Sequence, residues 1–368
     1  MIAEKPSIAQ ALAFALAKGN AKSHGGRGLK TFKFEGYFKD IKARFTVTSV
    51  MGHVFSTDFL SKHNKWDSID PAELFDVEII KQESNPKTRL GSHLSSCAKG
   101  QDIICLWLDC DKEGENICYE TLYYAFPYMN KRHYQQIYRA KFSSLTNNDL
   151  VNAFKNISEL PNASESLSVD ARQMIDLKIG VAFTRFLTSF VFPLIKNIGD
   201  PNLKLLSYGP CQTPTLYFCV KRHYEIEKFQ IKEYYRPYVE VEISRLRYKI
   251  FHGTKFWEKS PVTEMVTKLR PNKQATVTNV EIIKKCKQPP AGLNTVSMLR
   301  VASSYLKMSP SDTIHKAEKL YSMGYTTYPR TETTKYASGF DFAKILGEFS
   351  THKQFGTIAS KLWKSYTK

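Results

Sequence analysis

The segment IICLWLDCDKEGENICYE, residues 103–120, places five acidic side chains, Asp109, Asp111, Glu113, Glu115 and Glu120, behind an unbroken apolar run. Carboxylates this close together bind divalent cations, and two arrangements compete for them. Asp109, Asp111, Glu113, Gly114 and Glu120 fall at positions 1, 3, 5, 6 and 12 of an EF-hand calcium loop. An EF-hand needs a helix leading into its first position, whereas Ile103 to Leu108 is continuous apolar sequence of strand length. The other arrangement is a parallel strand buried on both faces, with polar groups at its carboxyl end, where open α/β sheets keep their sites. Side chains two apart in a strand share a face, so Asp109 and Asp111 point the same way and Glu113 joins them at the turn of Gly114. Three hard oxygens so placed suit Mg²⁺ shared with a phosphate. A solvated acidic loop without a ligand is the plainer alternative.

A second candidate for chemistry is YTTYPRTET, residues 325–333. Pro329 moves Tyr328 out of helical geometry, and in an extended chain Arg330, two residues on, shares its face. A phenol beside a guanidinium fork can act as nucleophile and phosphate clamp. Most of the twenty tyrosines in the chain serve as packing residues. The pair gains meaning because it stands in one basic chain with the acids, and both clusters make sense around a phosphodiester.

The elements that must position these residues follow from patterning. Up to about Phe142, strand-like runs (RFTVTSVMGHVF, DIICLWLD) alternate with a helix-like run (SIAQALAFALAKG) that Ser7 could cap and Gly19 ends, as in α/β domains. Thr146 to Asp149 forms a capping box before a mostly helical stretch on which Arg172 and Asp176 sit one turn apart. FQIKEYYRPYVEVEISRLRYKIF and QATVTNVEIIKK read as short strands. Helices return after Pro290, one opening at Ser309-Pro310 with Ile314, Ala317 and Tyr321 on one face and Gly324 as its stop.

The chain has 368 residues, 42% of them hydrophobic, enough for more than one cored domain, and a formal charge of +18 that favours a polyanionic partner. The apolar stretch around Phe186 to Ile195 is short and interrupted by Pro193, so no membrane is expected as a partner. Seven cysteines without a C-x-x-C pair exclude a zinc ribbon or a disulfide framework within the chain and suit nucleus or cytosol.

AEKPSIA, DCDKEGENI, SLSVDARQMIDLKIG, SYGPCQTPTL, LNTVSMLRVAS and GYTTYPRTETT occur in an order that resembles the type IA DNA topoisomerases over essentially the whole chain. GPCQTPTL and NKWDSIDPAELF are similar to the beta-type branch of eukaryotic topoisomerase III, where bacterial relatives tend to carry Arg-Val in place of Pro210-Cys211. The resemblance implies a multidomain α/β protein with helical and β-rich parts. A Rossmann-like Toprim domain over 1–145 would precede parts of a toroidal core: the first part of the basal DNA-binding domain (146–217), the first part of a β-rich arch (218–283) and an incomplete gate domain carrying the catalytic tyrosine (284–368).

It further implies an ATP-independent enzyme that cleaves single-stranded DNA through a 5′-phosphotyrosine, passes a strand and reseals it, with RNA as a second substrate. Tyr328 would be the nucleophile. Arg330 and Lys5 would neutralise the phosphate, and Glu4 would exchange a proton with the departing 3′ oxygen. Mg²⁺ would be held by Glu4, Asp109, Asp111 and Glu113, the last three within one ion's reach. His53, Arg172, Gln173, Ser207, Gln212 and Thr213 would contact nucleic acid. Arg330 is expected to favour the phenolate of Tyr328, since an ordinary tyrosine has a pKa of about 10. A Tudor-domain scaffold protein is the implied protein partner, and the nucleus, with the cytoplasm second, the implied compartment.

Three departures from the family pattern shape the expectations. Relatives carry several residues ahead of Met1, so the short first strand puts the placement of Glu4 at risk. Pro289 stands where the family usually has Arg, and Ala291-Gly292 replaces a more apolar pair, which bears on the arch-to-gate hinge. The chain stops forty residues after Tyr328 where relatives continue for several hundred, so it reads as an N-terminal part: a fragment, an incomplete gene model or a shortened isoform. Apolar surface is then expected where further segments pack. Two alternatives to a topoisomerase remain, a Toprim nuclease or primase that uses the acids without the tyrosine, and a single-strand-binding fragment without turnover.

Overall fold

The computed structural model describes residues 1–25, 29–130, 136–157, 160–195, 197–198, 201–287, 290–336 and 340–366; Pro289, on which part of the hinge reading rests, lies outside them. The chain divides into two compact units, Met1–Tyr208 with Pro290–Lys368, and Gly209–Pro289.

The first unit is built on a six-stranded sheet, spatial order β2-β3-β4-β1-β7-β8. Its strands are β1 (Ile2–Ala3), β2 (Lys22–His24), β3 (Thr31–Phe38), β4 (Ile41–Ser49), β7 (Ile104–Trp107) and β8 (Ile137–Arg139). β1 lies between β4 and β7 and is parallel to both, and β8 continues parallel to β7. β3 and β4 form an antiparallel hairpin whose turn, Lys39 and Asp40, has positive φ at both residues, the backbone that matches the twist of paired strands. β5 (Phe55–Phe59) and β6 (Ile79–Glu83) form a separate hairpin.

The continuous apolar run before the acids has a direct cause. Cys105 and Trp107 enter one core with Ile8, Leu12, Phe32 and Val47, while Ile104, Leu106 and Leu108 enter a second core with Leu94 and Ile117. Successive side chains of one strand thus fill opposite faces, and both are covered. Helices α1 (Pro6–Leu16), α2 (Leu90–Ala98) and α3 (Lys112–Ala125) supply the covering layers. Pro6 takes the first turn of α1 and Lys5 the cap position, so Ser7 lies inside the helix and does not cap it. On α2, His93 meets the Thr48 hydroxyl at 2.7 Å, and burial pulls its pKa below the ordinary 6.5. A depressed folded-state pKa contributes stability above the unfolded value and loses it as pH falls through the folded one. Stability measured by thermal melts should therefore decline from about pH 6.5 downwards, and His93→Gln should flatten that decline.

α4 (Asn147–Lys155) starts at the Thr146 cap, whose hydroxyl oxygen accepts from Asp149 N at 3.3 Å. α5 (Ala163–Phe186) continues through a π-helical segment, Leu187–Val191, into α6 (Phe192–Ile195). By length and composition this 33-residue run is long and apolar enough to cross a membrane, which corrects the expectation drawn from Phe186 to Ile195 alone. Its charges are nevertheless engaged by the protein: Asp170 with Lys81, Lys178 with the Phe75 carbonyl and Arg185 with the His63 carbonyl. Leu167, Met174, Phe186, Phe190 and Leu194 on this run are exposed apolar side chains.

The returning part of the first unit holds α9 (Thr295–Val301), α10 (Pro310–Ser322), α11 (Phe342–Phe349) and α12 (Gly356–Tyr366). Ser309 caps α10 and Gly324, at φ +81, ends it. The second unit contains α7 (Gln212–Glu227), a β9 (Tyr238–Ile243) and β10 (Leu246–Phe251) hairpin, and α8 (Lys259–Leu269). The strand-patterned run QATVTNVEIIKK carries no strand. Its Ile282 is 92% exposed, because among the described residues no neighbouring strand pairs with it.

Candidate active site

The acidic turn begins where β7 ends. Leu108 and Asp109 are buried, Asp109 at 1% exposure, and Asp111 caps α3 by accepting from Gly114 N at 2.8 Å. A strand therefore runs into the acids and a helix out, which removes the EF-hand reading. A Cβ on Gly114 would lie 2.0 Å from the Asp109 carbonyl oxygen, so only glycine lets the first turn of α3 approach this closely.

The carbonyls at the strand end have a partner that sequence reasoning missed. Arg139, fully buried at the end of β8, donates to the Leu108, Asp109 and Ala140 carbonyls at 2.7, 2.8 and 2.8 Å and to Glu115 at 3.0 Å. Glu115 also accepts from Lys141 and from Asn162 N, and those partners hold its pKa down against the opposing effect of burial. One guanidinium thus joins the ends of two strands to the first turn of α3 around the acidic turn. Nothing periodic marks Arg139 in the sequence; only the strand order brings it there.

β1 is two residues long, yet Glu4 reaches the site. Its N–H donates to the Trp107 carbonyl at 3.3 Å, and its carboxylate accepts from Asp109 N at 2.9 Å. Burial, followed by the charge of Asp109, raises the Glu4 pKa to about 7. Lys5 donates to Asp109 Oδ2 at 3.1 Å; burial works against its charge, but Asp109 outweighs it and the pKa rises.

Tyr328 donates to Asp111 Oδ2 at 2.5 Å across 217 residues of sequence. Its N–H donates to the Ser143 carbonyl at 2.8 Å, and α9 fixes the following residues: the Thr295 hydroxyl donates to the Pro329 and Thr331 carbonyls and accepts from Thr331 N. Burial, then the bond to Asp111, raises the Tyr328 pKa. This reverses the expected phenolate. Arg330 does not serve the hydroxyl here, because its Nε and Nη2 donate to Glu318 at 2.9 and 2.6 Å. Tyr321, read from sequence as a helix-face packing residue, donates to Asp109 Oδ1 at 3.2 Å.

Glu113 turns elsewhere. His53 Nε2 and Arg172 Nη2 contact its two oxygens at 2.9 and 2.7 Å. His53 Nδ1 contacts Glu120 at 3.2 Å, and those acids, Glu120 foremost, raise the histidine pKa. Glu120, counted in the sequence only as a calcium-loop position, also accepts from Val54 N at 2.7 Å. Among the described residues no group of three His, Cys, Asp or Glu side chains is gathered as a metal site, and Glu113 is not directed at Asp109 and Asp111. The reason is that two basic side chains hold Glu113. The remaining donors fit a hard cation in kind: Glu4, Asp109 and Asp111 are oxygen ligands whose charges act on one another, with Lys5 as the cation bonded among them.

Of the other candidates, Arg172 also binds Asp176 at 3.0 Å, and Gln173 lies half-buried beside it on α5. Ser207 is exposed on a segment held along α5 and the π-helical segment that follows it. There Thr184 Oγ1 accepts from Tyr208 N at 2.9 Å, Thr188 Oγ1 accepts from Leu206 N at 3.1 Å, and the Tyr208 ring stacks on Phe183. Gln212 and Thr213 open α7 in the second unit, where Thr213 Oγ1 accepts from Gly209 N at 3.2 Å. A cleft of 1040 Å³ lies at the amino ends of β1 and β7, lined by Met1, Asp102, Lys33 and Phe45 and by none of these residues.

Comparison with known proteins agrees with this layout. Residues 1–145 match the family described as Toprim domain, and residues 161–368 match the family described as DNA topoisomerase. The chain is 44% identical to mouse DNA topoisomerase 3-beta-1 and 43% identical to Arabidopsis thaliana DNA topoisomerase 3-beta, each over 98% of its own length. Arabidopsis DNA topoisomerase 3-alpha is 35% identical over the same share. The chain spans 42% and 41% of the length of the two beta relatives. With a family match over more than half of its residues and these identities along nearly all of them, the chain belongs to the type IA DNA topoisomerases, in their topoisomerase 3-beta group.

Proposed function

We propose that this chain carries the cleavage and resealing centre of an ATP-independent topoisomerase acting on single-stranded DNA. The observation that carries the reading is the Tyr328 hydroxyl donating to Asp111, in a turn that also binds Glu4 and Lys5. A nucleophile, an acceptor for its proton, a cation and a carboxyl group with a pKa near neutrality are the parts a phosphoryl transfer needs.

Tyr328 Oη attacks phosphorus and passes its proton to Asp111. The new O–P bond replaces the bond to the 3′ oxygen, which takes a proton from Glu4. A Glu4 pKa of about 7 suits a group that gives this proton and takes it back when the 3′ hydroxyl reseals the strand. Lys5 neutralises the phosphate, and Arg330 joins it once nucleic acid draws it from Glu318. When bound at Glu4, Asp109 and Asp111, Mg²⁺ would supply charge that holds the 3′ end for resealing. RNA as a second substrate, a Tudor-domain scaffold, residence in nucleus and cytoplasm, and the division into Toprim, basal, arch and gate segments belong to the same proposal.

Incubating the chain with 3′-end-labelled single-stranded oligonucleotide and Mg²⁺, then separating under denaturing conditions, tests it: label should migrate with the protein. Binding of the same oligonucleotide should weaken with salt. With about four to six phosphate contacts the log–log slope would be near −3 to −4, and Arg172→Ala should lower its magnitude by about 0.7. A flat response would detach the +18 charge from nucleic-acid binding.

A further inference from the structure

Tyr321 and Tyr328 stand seven residues apart on one segment, and Asp109 and Asp111 stand two apart at the end of β7. Each tyrosine meets one acid: Tyr321 donates to Asp109 Oδ1 at 3.2 Å and Tyr328 to Asp111 Oδ2 at 2.5 Å. The two rings touch edge to face, centroids 5.3 Å apart. Their spacing is fixed by a helix end, since Gly324 N donates to the Tyr321 carbonyl and Tyr325 N to the Leu320 carbonyl. Tyr321 is the more deeply set, 1% exposed within the core that contains Ile8, Leu12 and Trp107. A phenylalanine would fill that core without a hydroxyl to desolvate, so the oxygen at this position is explained by its acceptor.

We propose that Tyr321 is a positioning residue, whose hydroxyl on Asp109 seats the Tyr328 segment against the acidic turn and keeps it seated after cleavage. The inference rests on reading Tyr328 as the nucleophile, and the chemistry of that step gives it force. Once Tyr328 Oη bears phosphorus it has no proton and cannot donate to Asp111. Of the two tyrosine-to-carboxylate bonds, only the one from Tyr321 survives in the covalent state. Resealing needs the phosphotyrosine held beside the 3′ hydroxyl, and strand passage needs it to leave. The Tyr321 bond therefore sets the balance between these outcomes without taking part in bond exchange.

The test compares Tyr321→Phe, which keeps the ring and removes the hydroxyl, with Leu150→Ala, a cavity in the same core that touches neither acid. Hydrogen exchange of peptides spanning 325–330, which contain the Tyr328 N–H bonded to Ser143, should quicken roughly tenfold in Tyr321→Phe. In Leu150→Ala it should change only in step with the rest of the core. In the oligonucleotide assay Tyr321→Phe should hold more label as adduct and reseal roughly tenfold more slowly after a salt challenge, with single-strand affinity unchanged. Unchanged exchange, or an equal rise in both variants, overturns the proposal. If no adduct forms in any chain, the nucleophile reading fails while the exchange comparison still decides whether Tyr321 seats the segment. Should Tyr321→Phe not fold, Asp109→Asn weakens the same bond from the acceptor side and takes the same exchange readout.

Discussion

The Tyr328→Phe chain forms no covalent adduct with a 3′-labelled single strand, while its single-strand affinity stays within about twofold of the parent's. Only an oxygen on that ring can make the phosphoester, and no neighbouring hydroxyl can replace it, because Tyr321 is buried against Asp109. The ring itself remains, with its edge contact to Tyr321 and its packing on the main core. What is lost is one hydrogen bond to a carboxylate, on the order of 1.5–3 kcal/mol of local stability. Adduct at the parent's level would remove Tyr328 as the nucleophile. Absence of adduct in parent and variant alike, with binding intact, would favour the single-strand-binding reading.

Arg139→Met should destabilise the first unit by roughly 3–5 kcal/mol, read as a lowered urea midpoint. The substitution leaves Glu115 buried with one fewer partner and strips the Leu108, Asp109 and Ala140 carbonyls of their donor. Lys141 still reaches Glu115, which places the expectation towards the lower end of that range. The acidic turn should suffer beyond the loss of stability, since two of those carbonyls belong to the residues that lead into it. A midpoint within about 0.5 kcal/mol of the parent's would mean that the turn holds its shape without Arg139.

Much of the site was legible because its residues obey short-range rules. The apolar run to Leu108 announces a strand covered on both faces, and acids spaced by two at its end follow the pleat. Pro329 after Tyr328 and Gly324 after α10 mark where a helix stops and an extended segment begins. The missed residues depend on contacts that no local pattern carries. Arg139 acts only because β8 lies beside β7, and Tyr321 reaches Asp109 across 212 residues. Arg330 was assigned to Tyr328 from their shared face, but Glu318, one turn before the end of α10, offers it a carboxylate. Glu113 was grouped with its neighbouring acids by spacing, whereas His53 and Arg172 arrive from distant parts of the chain and take it. The run at 274–285 shows the same limit from the other side, since alternation prepares a strand but a ladder needs a partner.

Thr184 near the end of α5 and Thr188 in the π-helical segment that continues it have a metrical consequence. Four residues of helix advance about 6.0 Å and two residues of extended chain about 6.6 Å, so hydroxyls at Thr184 and Thr188 keep step with the backbones of Tyr208 and Leu206. The helix thereby acts as a template rail, measuring out an unpaired strand with side chains where a sheet would use main chain. Ser207, the residue between the two gripped positions, is exposed. The single residue between the grips is thus set by the pitch of a helix, and inserting one more between Leu206 and Tyr208 would put the two hydroxyls and the two backbones out of step.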